Sequence, residues 1–514
     1  MLIHVLIIIA LNLVFFWRTL FFRYSVDDWE NARCACKEPK FVATKMTRHG
    51  KPVDVEICEK CHILKPIKPK NFMEKFLLSV GGLFWIKDSE GNNITTTQYA
   101  DPVFDHSITL GLHIINCVLV FFAFGYNEVS LLTALLFSIH PTAMQGSSVW
   151  LSGTGYSLGL TFCLLAYWLA PAAPLFYAIG SWYVSVLVLP LVFIKTKFWF
   201  WVLLLPVVFL LRRKNLKDAI GYKYKMVKIT REPFHWHNIL LVFKTIGYYL
   251  CQCIFPVNLG VHHSYLQMHG VTEEDTKLTL SLKDRFFWIG VFASILMAYL
   301  FFFNWSPAAF GLFWFFVFIA PWSNWMAAVN QPIAERYCII ALVGALYALA
   351  NVIIPYREVC VGFFVYYITI TNKFLPAYEN ILEFAVYNVF NFPRSFQGWL
   401  WKSDIERNFR LFERSFDSAM QAWLLRPNEF LVNNNIATMM LMQHKYNEAE
   451  EFIKRMEKAE MPTEEMKIKR DNKVALMRTQ IKNDMEAIQE RMRQGRNEPC
   501  KCGSGKKFKH CHGE

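Results

Sequence analysis

Two adjacent carboxylates, Asp27 and Asp28, follow directly on an apolar run at residues 2–22. Placed there, a carboxylate can take the proton from a hydroxyl as its oxygen attacks an electrophilic carbon. The same pair also suits a solvated cap on an apolar helix. Glu335 and Arg336 open another apolar run, where a guanidinium can neutralise a departing phosphate. They equally suit a structural ion pair that ends a helix. His113, His140, His262 and His263 are placed to assist at such an anion site. His113 and Asn116 lie one helical turn apart in an apolar stretch, a pattern that also serves hydrogen bonding between helices. His140 precedes Pro141, so it also reads as a helix stop.

Seven of the 13 cysteines sit at close spacing in polar segments. Cys500, Cys502, Cys511 and His512 offer three thiolates and an imidazole, a closed tetrahedral set for structural Zn²⁺. Gly503 and Gly505 permit a tight turn between the ligand pairs, Lys506, Lys507 and Lys509 offset the thiolate charge, and His510 is a competing ligand. So short a module folds only with its metal, which makes it a docking knob; a disulfide is the other use of these thiols. Cys34, Cys36, Cys58 and Cys61 permit a four-thiolate zinc site, two disulfides or free thiols. The remaining cysteines lie in or beside apolar runs, as small hydrophobes.

The elements that must hold these residues are apolar helices. At 54% hydrophobic and 16% aromatic over 514 residues, the chain exceeds what a soluble core needs. Apolar runs follow the first one near 107–124, 129–147, 154–170, 173–193, 197–211, 237–257, 286–304, 307–321, 337–355 and 359–372. The expectation is an all-α polytopic membrane bundle of about eleven spans over residues 1–380. A charged helical region follows at 396–460, a spacer helix at 461–496 and the cysteine knuckle at 497–514. The net charge of +13 does not indicate nucleic acid, because eight basic residues crowd into 212–231 between apolar runs. Such a loop is cytoplasmic by the positive-inside rule. Counting outward puts 23–104, 258–285, 322–336 and the C-terminal region outside. The first run lacks a basic start and a small-residue exit, so it is taken as a span and not a cleaved signal. The thiol-rich tail favours a reducing compartment, which stands against that count.

The segment AMQAWLLRPNEFLVNNNIATMMLMQHKYNEAEEFIKRM resembles a tetratricopeptide repeat, with Pro427 breaking a helix and Ala437 allowing close approach. Residues 24–28 (YSVDD), His113-Ile114-Ile115-Asn116, HPTAMQGSSVWLSGTGYSLGL from His140, FPVNLGVHHSY from Phe255 and PWSNWMAAVNQPIAERYCIIALVGALY from Pro321 follow in an ordered series. That order resembles the transmembrane-and-tetratricopeptide O-mannosyltransferase-like proteins, glycosyltransferases of the GT-C membrane fold. The resemblance implies transfer of a sugar, mannose in that family, from a polyprenyl-phosphate donor to a protein or glycan hydroxyl. Asp27 or Asp28 would be the base. Arg336, Glu335 and the four histidines would attend the donor phosphate. The setting it implies is a multi-pass membrane protein in contact with lipid, and the C-terminal cysteine knuckle points to a bacterial inner membrane. Where relatives carry Tyr-Arg-Pro, this chain has Tyr99-Ala100-Asp101-Pro102, and after His140 it has Gln145 and Gly153-Thr154 in place of an acidic residue and glycine-arginine. Those departures keep a second expectation open: a non-catalytic membrane scaffold that recruits a protein partner through its C-terminal region. The tail EPCKCGSGKKFKHCHG resembles the SEC-C zinc knuckle of the bacterial preprotein translocase motor.

Overall fold

A computed structural model describes residues 1–22, 40–48, 51–58, 102–145, 149–150, 153–173, 176, 191–192, 195, 236–257, 259–260, 284–323, 333–409, 411–461, 464–492, 497–498, 504, 506–507 and 510. The chain is mostly helical and divides into two compact units, Met1–Pro393 and Arg394–Glu514.

In the first unit α1 (Leu2–Phe16) ends in a 3-10 turn, Trp17–Phe21. Next come α2 (Pro102–Ala123), α3 (Glu128–Ile139), the short α4 (Pro141–Met144), α5 (Thr154–Trp168) and α6 (Trp236–Ile254). The series closes with α7 (Arg285–Phe303), α8 (Pro307–Ile319), α9 (Ile339–Ile353), α10 (Arg357–Phe374) and α11 (Ile381–Asn391). Leu2–Phe21, Val103–Ala123, Arg285–Phe303, Glu335–Ile353 and Arg357–Glu379 are each long and apolar enough to cross a membrane, and three apolar helices are shorter. Their burial is inverted relative to a soluble protein. Phe292, Ile295, Phe302 and Phe303 of α7 face outward, whereas Asn12, His113, Asn116, Ser138 and Ser157 are buried. Lipid rewards that arrangement, since polar side chains then find partners inside the bundle.

Side-chain contacts give the threading. His4 meets Phe121 while Phe16 meets His113, so α1 runs antiparallel to α2. Asn12 Nδ2 donates to Ser138 Oγ at 3.1 Å, and His113 Nε2 lies 3.0 Å from the Ser138 carbonyl; α3 therefore ends partway along α2, near its middle. Asn116 donates to the Ser157 carbonyl at 3.0 Å, which brings the start of α5 to the same level. Thr371 Oγ1 donates to the Ile139 carbonyl at 2.7 Å, and the Tyr367 hydroxyl to Ile254 at 3.0 Å. The Ala334 N–H donates to the Tyr249 hydroxyl at 3.0 Å. The ends of α1, α3, α6 and α10 and the starts of α5 and α9 thus gather on the side of the bundle where α2 begins, its pole. Lys195 Nζ donates to the Tyr167 carbonyl at 2.8 Å, so the chain is back at the far end of α5 by residue 195. Most of the expected run at 173–193 lies outside the described residues.

Two helix pairs touch through glycine. A Cβ on Gly247 would strike the Phe286 carbonyl, and one on Gly290 the Phe243 carbonyl, where α6 crosses α7. A Cβ on Gly311 would lie 2.6 Å from the Ala348 nitrogen where α8 crosses α9. Across α6 and α7, Lys244 Nζ is 2.5 Å from Asp284 Oδ2, and Asp284 also caps α7 by accepting from the Phe286 N–H.

The all-α expectation needs one correction. Within the stretch read as a polar loop, β1 (Phe41–Arg48) and β2 (Lys51–Cys58) pair antiparallel, with Phe41 opposite Cys58 and Arg48 opposite Lys51. Val53, Val55 and Ile57 alternate with Asp54 and Glu56, the period of a strand, within a stretch that is polar as a whole.

In the second unit α12 (Phe396–Asn408) pairs with α13 (Phe412–Leu425), and α14 (Phe430–Met442) with α15 (Tyr446–Lys458). First helices start at Phe396 and Phe430 and second helices at Phe412 and Tyr446, an interval of 34 residues in both cases. Ser403 and Ser415 donate to each other's carbonyls at 2.8 Å across the first pair. Ala437, Ala449 and Ile453 are fully buried in the second. Asn435 donates to Asp404 at 2.8 Å and links the pairs. A long helix, α16 (Glu464–Met492), lies on α15 through Val474, Met477 and Arg478.

Candidate functional site

The pole of the first unit holds the chemistry that the structure describes. Arg336 and Glu335 share the 3-10 turn Glu335–Cys338 that leads into α9, yet they serve different neighbours. The Arg336 guanidinium lies over the Trp150 ring at 4.6 Å and over Tyr337 at 4.8 Å. Trp322 stacks on Tyr337 with centroids 4.2 Å apart and planes 8° from parallel. Ring faces hold a guanidinium with little water around it and leave its charge intact. Glu335 is buried, and its Oε1 accepts the Gly260 N–H at 3.2 Å. Only glycine lets that backbone come so near, because a Cβ would sit 2.6 Å from the Phe392 ring.

Beside this turn, α4 presents His140, Thr142 and Gln145, and Tyr378 lies close to Gln145, Glu335 and Arg336. His140 follows the last residue of α3 and its Nδ1 accepts the Thr142 N–H at 3.2 Å, capping the start of α4. Two enclosed atoms here, Thr142 Oγ1 and Trp150 Nε1, have no hydrogen-bond partner among the described residues, whereas Tyr378 has the Gln145 side chain and His140 the Cys253 carbonyl within reach. Buried polar atoms are almost always paired. The Thr142 hydroxyl and the Trp150 indole N–H beside one guanidinium are groups that a polar ligand can use.

His113 sits elsewhere in the same half. Its Nε2 is at the Ser138 carbonyl and its ring packs between Phe16 and Phe137. Asn116 likewise binds Ser157 and accepts from Thr161 at 2.7 Å. Both residues serve the helix interface, the plainer of the two expectations. Asp27, Asp28, His262, His263, Cys34, Cys36, Cys61, Cys500, Cys502, Cys511 and His512 lie outside the described residues. Phe22, the last described residue before the acidic pair, packs against His106 at this pole with ring centroids 6.5 Å apart.

Cys58 ends β2 opposite Phe41, and Cys36 precedes Phe41 by only five positions. In the tail, the Lys506 N–H donates to Ser504 Oγ at 3.4 Å and the His510 N–H to the Lys507 carbonyl at 2.9 Å. That turn falls between the two expected ligand pairs. Sequence reasoning missed Tyr378, Trp150 and Gln145 as parts of the site. Trp150 and Gln145 stand inside the segment that starts at His140; Tyr378 follows the last long helix in a stretch with no spacing signal.

Residues 496–514 match the SEC-C motif. The chain is similar there to the protein translocase subunit SecA of Pseudomonas putida strain W619, at 42% identity over 71 residues, 13% of this chain and 7% of that one. SecA of a second Pseudomonas putida strain is 54% identical over 41 residues, 8% of this chain and 4% of that one. SecA of Brachyspira hyodysenteriae is 47% identical over 38 residues, 7% and 4% of the respective chains. The chain thus spans less than a tenth of the length of these relatives, and the likeness belongs to the tail. No solved structure matches the chain.

Proposed function

We propose that the chain is a multi-pass membrane glycosyltransferase of the GT-C class, acting at the pole described above. A hydroxyl of a protein or glycan attacks the anomeric carbon of a sugar, mannose by resemblance, carried on a polyprenyl phosphate. Asp27 or Asp28 takes the hydroxyl proton. The bond from the anomeric carbon to the phosphate oxygen breaks, and Arg336 stabilises the phosphate that leaves. The observation that supports this reading is a guanidinium held on ring faces beside the unpaired Thr142 hydroxyl and Trp150 indole N–H. Hydroxyl-rich sugars need many hydrogen-bonding atoms and favour aromatic surfaces. Single and double Asp27→Asn and Asp28→Asn variants should abolish transfer from a lipid-linked sugar while membrane insertion persists; transfer retained in the double variant would reject the assignment.

The second reading, a scaffold that recruits a protein partner, draws on the 34-residue interval of the helix pairs. It is the period of a tetratricopeptide array, and we read residues 396–458 as two such repeats. The tail is read as a zinc knuckle with Cys500, Cys502, Cys511 and His512 as ligands, a donor set whose chemistry fits structural Zn²⁺. The metal would supply folding energy to the tail. The thiols beside the hairpin, Cys34, Cys36, Cys58 and Cys61, are read as a second site of the same kind, with a pair of disulfides as the alternative.

A further inference from the structure

We propose that Arg18 binds the phosphate of a membrane lipid at this pole. Arg18 belongs to the 3-10 turn Trp17–Phe21, packed on the first turns of α2 where Asp105 and His106 are buried. Its Nε and one terminal nitrogen, Nη2, are enclosed, and no acceptor reaches them among the described residues. An arginine that merely marks the end of a span carries its guanidinium into water. This one turns two donors inward with no acceptor among the described residues.

The depth of the turn indicates the anion. Trp17 and Phe21 flank Arg18 and stand outward at 57% and 68% exposure, with their rings 6.0 Å apart. Aromatic side chains that face outward at the end of a span mark the headgroup level of a bilayer, where phosphate is the abundant anion. A guanidinium presents a fork of N–H groups that matches two oxygens of such a phosphate. That the lipid is the polyprenyl phosphate of the donor rests on the transferase reading; that it is a lipid phosphate does not.

The test uses the purified full-length protein in phosphatidylcholine nanodiscs. Retention of a sugar-free polyprenyl phosphate and of phosphatidylglycerol is read by native mass spectrometry for the wild type, Arg18→Gln and Arg18→Lys. Arg18→Gln should lower retention of the polyprenyl phosphate about tenfold or more, with a smaller loss in Arg18→Lys and phosphatidylglycerol weak throughout. Should phosphatidylglycerol be held as tightly and be lost in parallel, the phosphate site stands and its occupant is a headgroup. Unchanged retention of both lipids in Arg18→Gln overturns the proposal. If Arg18→Gln does not fold, Arg18→Lys decides alone, because loss of the planar fork must still weaken binding severalfold. A wild type that binds polyprenyl phosphate but transfers no sugar leaves Arg18 standing and removes the transferase.

Discussion

At the residue scale, Arg336 does a task that a simple positive charge cannot. Stacked on Trp150 and Tyr337, it depends on a flat guanidinium, so Arg336→Lys keeps the charge and loses the ring contacts. We expect Arg336→Lys to reduce use of a lipid-linked donor about ten- to a hundredfold while the protein stays folded; full activity would remove Arg336 from the site. Arg336 and Glu335 were legible because a charged pair at the mouth of an apolar run is conspicuous. Arg18 and Tyr378 were not, since their significance lies in what surrounds them and not in sequence spacing. His113 was legible as polar, but the sequence could not tell an anion helper from a partner of the Ser138 carbonyl.

At the element scale, two kinds of contact can be tested. Gly247 and Gly290 let α6 and α7 touch backbone to backbone. Gly247→Ala and Gly290→Ala should each lower the thermal midpoint in detergent, at a cost of about 1–3 kcal/mol from overpacking. Gly362→Ala on α10, where a Cβ meets nothing within 4 Å, should be neutral; equal effects at all three would refute the close crossing. In the second unit Arg478 grips Glu457 through both carboxylate oxygens, at 3.2 and 2.9 Å, and reaches Glu450 at 3.1 Å. The Arg478 hydrogen bonds hold the Glu457 carboxyl below its ordinary value. A depressed folded pKa means that this contribution is complete above the ordinary carboxylate pKa and is lost as pH falls through the lowered value. Hydrogen exchange in α16 should therefore quicken on acidification through that window in the wild type and much less so in Arg478→Ala. The helix spans were legible from apolar runs, to within a few residues for α2 and α7. The β-hairpin was not, because two eight-residue strands in a polar stretch carry a weaker signal than a span. The zinc expectation belongs here too: Cys500→Ser should release about one equivalent of zinc, and an unchanged metal content would leave the tail without its ligand set.

At the scale of the whole molecule, the threading of the first unit converts local contacts into a topology. α1, α3, α6 and α10 end at the pole, and α2, α5 and α9 begin there. α7 runs antiparallel to α6, since Gly290 meets Phe243 while Phe286 meets Gly247. α8 runs antiparallel to α9, since Gly311 meets Ala348 while the Trp314 indole donates to Ile340. The chain at residue 22, at residue 260 and at Phe392 is consequently on the pole's side, because Gly260 touches Phe392. At residues 168, 195 and 236 it is at the opposite end. The basic residues of 212–231 lie in sequence between residue 195 and residue 236, and the positive-inside rule expects such a stretch on the cytoplasmic side. An impermeant thiol reagent added from outside should thus label a cysteine introduced at residue 90 in intact cells and leave one at residue 222 unreacted until the membrane is opened. The tail should react with residue 90, because no helix described after Pro393 is apolar and long enough to cross back. If the tail instead reacts with residue 222, a further crossing exists between the two units, and the zinc knuckle lies in the reducing compartment that its thiols favour.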